Sequence, residues 1–100
     1  MDELPEETPS PTGHKFPLGA LCSTPGALGS IPPDEMLAAV GRHSRGDWGD
    51  LCEEDRKENE FSLRRGFRLL SSYRSSTGVK FWIITEADRS VTTVLLPEEY

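Results

Sequence analysis

Long apolar runs are missing from this 100-residue chain, and only 35% of its residues are hydrophobic. A membrane-spanning helix needs roughly 18 to 20 consecutive apolar residues, and no segment approaches that. A basic region followed by an apolar one is also missing at the N-terminus. Asp2 and Glu3 stand there instead, which predicts a soluble intracellular protein. Cysteine is scarce: Cys22 and Cys52 are the two, and an intracellular setting keeps thiols reduced. With His14 and His43 they make four possible zinc ligands, but no two have the two-to-five-residue spacing of a structural site. No metal is expected. The bland reading is two buried or half-buried thiols and two surface histidines. A Gly-rich strand-to-helix turn for a cofactor is absent too, so no cofactor is expected. At this length the chain is one small domain that buries about half to two-thirds of its unfolded surface, too little for a large internal cavity.

The net charge of -6 is unevenly spread. Residues 1–14 hold Asp2, Glu3, Glu6 and Glu7 with no Lys or Arg, so four of the 17 acids belong to that segment. It also contains Pro5, Pro9, Pro11 and Gly13 and only Leu4 as a sizeable apolar side chain, a composition that predicts an acidic disordered tail over 1–14 ahead of a single domain over 15–100. Within the domain an acidic block over 47–60 precedes a basic one, Arg64, Arg65, Arg68, Arg74 and Lys80. Each block could face a charged partner.

Phe16 to Cys22, interrupted by Pro17 and Gly19, suits an edge strand or extended arm. Thr24 and Pro25 open a helix of one or two turns. Pro33 starts the first longer helix, about 33–44, with Asp34 and Glu35 in its first turn. A second is predicted over 53–65, with Glu53, Glu54 and Asp55 at its N-terminus and Gly66 as its stop. Its apolar stripe is thin: Leu51, Phe61 and Leu63 are nearly all it can bury. Most of that helix should therefore face water or a partner. Three strands follow, near 67–74, 79–86 and 91–96, joined by turns at Ser75 to Gly78 and Ala87 to Ser90. The fold class is α+β: two main helices on one face of a three- to four-stranded antiparallel sheet ending in a meander. The opposite face carries Leu70, Trp82 and Ile84, so the arm or a second copy of the chain is expected to cover it.

Two clusters carry chemistry. His43, Asp47 and Asp50, in the stretch Arg42 to Asp50, are the right types for acid and base work or metal capture. The reading preferred for the same stretch is a helix terminus and glycine turn with Trp48 packed on the sheet. The second cluster is Glu53, Glu54, Asp55 and Glu58, which could enter a basic groove on a protein or serve only as a solvated helix face. The block from Arg64 to Lys80 has Phe67, Tyr73 and Phe81 on the face opposite its cations, so direct nucleic-acid binding is not the first expectation.

Five stretches, Arg42-His43-Ser44-Arg45-Gly46-Asp47-Trp48-Gly49-Asp50, Glu53-Glu54-Asp55, Glu58-Asn59-Glu60, Gly66-Phe67-Arg68-Leu69-Leu70-Ser71 and above all the run from Phe81 to Pro97, resemble a small bacterial family. Its members are commonly labelled plasmid-related protein or type I restriction endonuclease subunit M. The resemblance covers roughly residues 18–97 and implies a mobile genetic element of a bacterium, with no activity attached. A methyltransferase is excluded by size, since there is no room for a doubly wound sheet. Small acidic proteins of mobile elements resemble, as a class, inhibitors of host defence. The expectation is thus a non-enzymatic cytoplasmic protein that binds a host protein or nucleoprotein complex, such as a CRISPR effector or restriction nuclease. The partner-binding set is Asp47, Trp48, Asp50, Glu53, Glu54, Asp55 and Glu58. A homodimer through the mixed sheet face is a further expectation. The alternatives are a small metal-dependent hydrolase or nuclease built on His43, Asp47 and Asp50, and a nucleic-acid-binding accessory protein using Arg64 to Lys80.

Overall fold

The computed structural model describes residues 13–100, so the tail expected over 1–14 lies almost wholly outside the described residues. The order is β1 (Ala20–Ser23), α1 (Pro25–Ser30), α2 (Pro33–Ser44), α3 (Glu53–Arg65), β2 (Leu69–Arg74), β3 (Lys80–Thr85) and β4 (Val91–Leu95), closed by a 3-10 turn, Pro97–Glu99. No helix among the described residues is long and apolar enough to cross a membrane.

β2, β3 and β4 form the expected antiparallel meander, with Tyr73 opposite Phe81 and Ile83 opposite Val94. The sheet as a whole is mixed, which corrects the antiparallel expectation. β1 runs parallel to β4, Ala20 beside Val91 through Ser23 beside Val94, giving the order β1-β4-β3-β2. Gly19, at φ +66°, lets the chain approach the β3–β4 turn, where a Cβ would collide with the Ser90 carbonyl.

One sheet face presents Tyr73, Phe81, Ile83 and Val94, which pack with Ala27 and Ile31 around α1 and with Ala39 and Val40 of α2. Thr24 caps α1 by accepting the Ala27 N–H at 3.3 Å, and Pro25 begins the helix. The helices on this face are therefore α1 and α2, not α2 and α3. Instead, α3 lies along the outer edge of β2. Its stripe has too little apolar surface to displace others from the sheet: Leu63 packs against the Phe16, Trp48 and Leu69 cluster, and the rest of its attachment is polar. Asn59 is 5% exposed; its carboxamide donates to the Leu70 carbonyl at 2.5 Å and accepts the Leu70 N–H at 3.2 Å.

One step along the same edge, Ser72 N–H donates to Trp48 O at 3.1 Å and Asp50 N–H donates to Ser72 O at 2.7 Å. Gly49 bridges to Ser72 there at φ +77°. A Cβ at Gly49 would strike the Ser72 carbonyl. Loop and amide together close an edge that would otherwise offer free backbone groups to another chain. Asn59→Ala leaves both Leu70 groups without their partner, and we expect it to cost about 2 kcal/mol in urea unfolding with faster hydrogen exchange at the Leu70 amide. An unchanged midpoint and unchanged exchange would contradict the edge-cap role.

The second sheet face holds Leu70, Trp82, Ile84 and Leu95; the expected arm lies beside β4 as an edge strand instead of over this face. The chain's own C-terminus crosses onto it. Tyr100 meets Trp82 edge-on at 5.8 Å, and its hydroxyl accepts from Arg68 at 2.6 Å. Arg68 in turn pairs with Glu86 at 3.3 Å. Ile84 and Leu95 are buried beneath this region.

Candidate functional site

His43 is placed by the C-terminal turn of α2, on the side that meets the sheet, and it is fully buried, contrary to the expectation of a surface histidine. Its Nδ1 lies 2.5 Å from Ser71 Oγ and its Nε2 2.9 Å from Thr85 Oγ1. Thr85 Oγ1 is 2.7 Å from Thr92 Oγ1, which donates to the Leu18 carbonyl at 2.7 Å. A carbonyl only accepts, so the direction of the whole chain follows. Thr92 gives its proton to Leu18 O, Thr85 donates to Thr92, His43 Nε2–H donates to Thr85, and Ser71 donates to Nδ1. Every member is satisfied with a neutral imidazole. Burial, reinforced by the charge of Arg89, lowers the His43 pKa from its ordinary 6.5 to about 4. Phe16 packs edge-on against the ring at 5.3 Å and Trp48 at 5.7 Å, so the imidazole is enclosed.

The remaining residues of this loop are bound into the fold by other contacts. Arg42 Nε donates to Asp47 Oδ2 at 2.7 Å and Nη2 to Oδ1 at 3.2 Å, while Gly49 N–H donates to Oδ1 at 3.2 Å. The Arg42 bonds hold the Asp47 carboxyl below its usual range. The Tyr73 hydroxyl donates to Asp47 O, and burial pushes that phenol up to about 12. Trp48, expected to face a partner, is 3% exposed; its indole N–H donates to Glu60 at 2.8 Å and its ring stacks on Phe16. Asp50 is exposed and uses its backbone N–H on Ser72. The loop thus turns His43 inward and both aspartates outward. Among the described residues no three His, Cys, Asp or Glu side chains are grouped to hold a metal ion. Cys22 and Cys52, expected to be buried or half-buried, are both exposed and unpaired.

The acidic set lies on exposed parts of α3. Glu53, Glu54, Asp55 and Glu58 all reach solvent, while Asn59 and Ser62 are the residues of the helix that are buried. The helix's own cations compensate them only in part. Arg56 is directed away, donating to Leu51 O at 3.0 Å and Gly49 O at 3.2 Å. Lys57 meets Glu53 at 3.9 Å, a distance at which an exposed pair contributes little. Glu54, Asp55 and Glu58 have no ion-pair partner among the described residues. The C-terminal end of the helix is tied down separately: Arg89, held at φ 61°, donates to the carbonyls of Ser62 and Phe67.

The basic block is dispersed. Arg65 lies over Phe61 at 5.3 Å, Arg68 is paired with Glu86, and Arg74 stands opposite Lys80 across β2 and β3. Tyr73 and Phe81 do face away from these cations into the core, as expected. Phe67 does not: it is half exposed and packs on Phe61 at 5.9 Å. Ser71, Thr85, Thr92 and Asn59 carry the internal polar contacts, and none of them was singled out by sequence pattern. Comparison with protein-family models, with curated proteins and with solved structures finds no match to this chain.

Proposed function

We propose that the protein acts by binding rather than by catalysis, and that in the bacterial cytoplasm it inhibits a host defence complex such as a CRISPR effector or restriction nuclease. The observation that carries the binding reading is α3. A thirteen-residue helix held to the sheet edge by Asn59 leaves Glu54, Asp55 and Glu58 in solvent with no ion-pair partner among the described residues. Such a surface suits a basic patch on a larger partner and needs no pocket. The defence setting rests on the resemblance to a mobile-element family. Asp47 and Asp50 lie outside while the imidazole faces the core.

The test is capture from lysate of a bacterium carrying a CRISPR or restriction system. Wild-type protein should retain a nuclease subunit and suppress its cleavage. A variant with Glu53, Glu54, Asp55 and Glu58 each changed to Lys should do neither. Purified protein with nucleic acids and nucleotides should show no turnover with or without divalent metal. Metal-dependent cleavage that vanishes in Asp47→Asn or Asp50→Asn would reverse the choice of class in favour of a small hydrolase.

A further inference from the structure

The two sides of α3 differ. Glu53 and Glu60 share one side with Arg56, Lys57 and Arg64, so charge there is balanced. Asp55 and Glu58, one helical turn apart, form a wall on the other side of a groove of about 480 Å³ between the helix and β2, in which Leu51, Leu70 and Phe67 supply apolar surface. Among the described residues Arg68 is the one cation lining this groove. It is already engaged by Glu86 at 3.3 Å and by the Tyr100 hydroxyl at 2.6 Å. The groove therefore combines an apolar floor with two carboxylates that have no ion-pair partner among the described residues. Strand addition is closed to a ligand here, because Asn59 occupies both backbone groups of Leu70. Whatever enters must bind through its side chains.

The geometry points to a groove that takes a Lys or Arg side chain of a partner protein flanked by an apolar residue. The aliphatic stem would lie on Leu70 and Phe67 and the cation between Asp55 and Glu58. A long basic side chain carries both the apolar stem and the charge this arrangement complements. A nucleic acid, with its phosphates, is repelled by the same two carboxylates. This inference rests on the binding reading above and names the chemistry of the contact.

The experiment is a titration of the full isotope-labelled chain, followed by amide chemical shifts, with acetyl-Leu-Arg-Leu-amide, its Leu-Glu-Leu counterpart, a Gly-Arg-Gly peptide and a single-stranded DNA oligonucleotide. The expected result is saturable shifts confined to Asn59, Ser62 and Leu70 with the Leu-Arg-Leu peptide. Gly-Arg-Gly should bind more weakly, and Leu-Glu-Leu and the oligonucleotide should leave these resonances unmoved. Asp55→Asn with Glu58→Gln should weaken the peptide about five- to tenfold, the reach of two partly exposed charge contacts. The isosteric pair Glu53→Gln with Glu54→Gln should change it less than about twofold. Equal weakening by both pairs, binding of the glutamate peptide, oligonucleotide shifts at the groove, or no localised shift would overturn the inference. Nuclease capture that survives Asp55→Asn with Glu58→Gln sinks the groove and spares the defence reading, whereas peptide binding without nuclease capture does the reverse.

Discussion

His43→Ala is expected to lower the free energy of unfolding by about 3 to 5 kcal/mol, the range for removing a large buried side chain and orphaning its hydrogen-bond partners. The ring fills space between Phe16 and Trp48 and terminates two hydroxyl contacts, Ser71 and Thr85, that are themselves fully buried. In a domain of this size that is a large share of total stability. The same residue sets the response to acid. Its pKa falls from 6.5 in the unfolded chain to about 4 in the fold, so the unfolded state binds the extra proton first as pH drops. The contribution is complete above about pH 6.5, erodes between 6.5 and 4, and is gone below that, a loss of roughly 3 kcal/mol. Urea unfolding followed by fluorescence of the buried Trp48 should show this slope in the wild type. In His43→Gln, which keeps polar contacts but cannot titrate, the slope over that window should be much reduced. Identical slopes in the two proteins would mean that another group governs the acid response.

Local signals in the chain read through to structure where they were self-sufficient. Pro33 with Asp34 and Glu35 starts α2, Gly66 stops α3 in the left-handed conformation, and the alternation of Phe81 and Ile83 puts β3 against the core. Pairings between distant segments were not legible. The edge strand expected within Phe16 to Cys22 is present as β1, Ala20–Ser23, but four residues carry no pattern that selects a parallel partner some seventy residues away, so the mixed character of the sheet was missed. The placement of α3 was missed for a related reason. Its weak apolar stripe was read correctly as a sign of exposure, but the helix is fixed to the strand edge largely by the Asn59 carboxamide, with Leu63 and the Trp48–Glu60 bond beside it, and no periodicity marks that carboxamide. For the site, the clearest overlooked signal was parity. Ser71 falls between Leu69 and Tyr73, and Thr85 follows Phe81 and Ile83, all on the core-facing side. Hydroxyls at such positions must find partners, and a buried histidine opposite them is a natural one. Trp48 was legible as an anchor in the fold and was misplaced as a partner contact.

Charge reversal on α3 should have the other large effect. Changing Glu53, Glu54, Asp55 and Glu58 to Lys replaces attraction with repulsion at four points of a docking surface, and we expect association with the captured nuclease to weaken at least about a hundredfold. Lys at these positions also opposes the helix dipole, so the matched Gln and Asn variant guards against a mere loss of helix. It should weaken binding in the same direction by a smaller factor. Stability should change little in that variant, because these side chains are exposed and Asn59, Ser62 and Leu63 hold the helix in place.

The most direct measurement is the affinity of wild type and of the Gln and Asn variant for the captured partner, each at about 50 mM and about 500 mM salt, where the screening length falls from over 10 Å to under 5 Å. The account predicts that wild-type binding weakens steeply with salt and that the neutralised variant binds weakly at both concentrations with a much flatter salt dependence. Equal affinity of the two proteins at both concentrations would mean that the acidic helix is a solvated face and that the partner is held elsewhere.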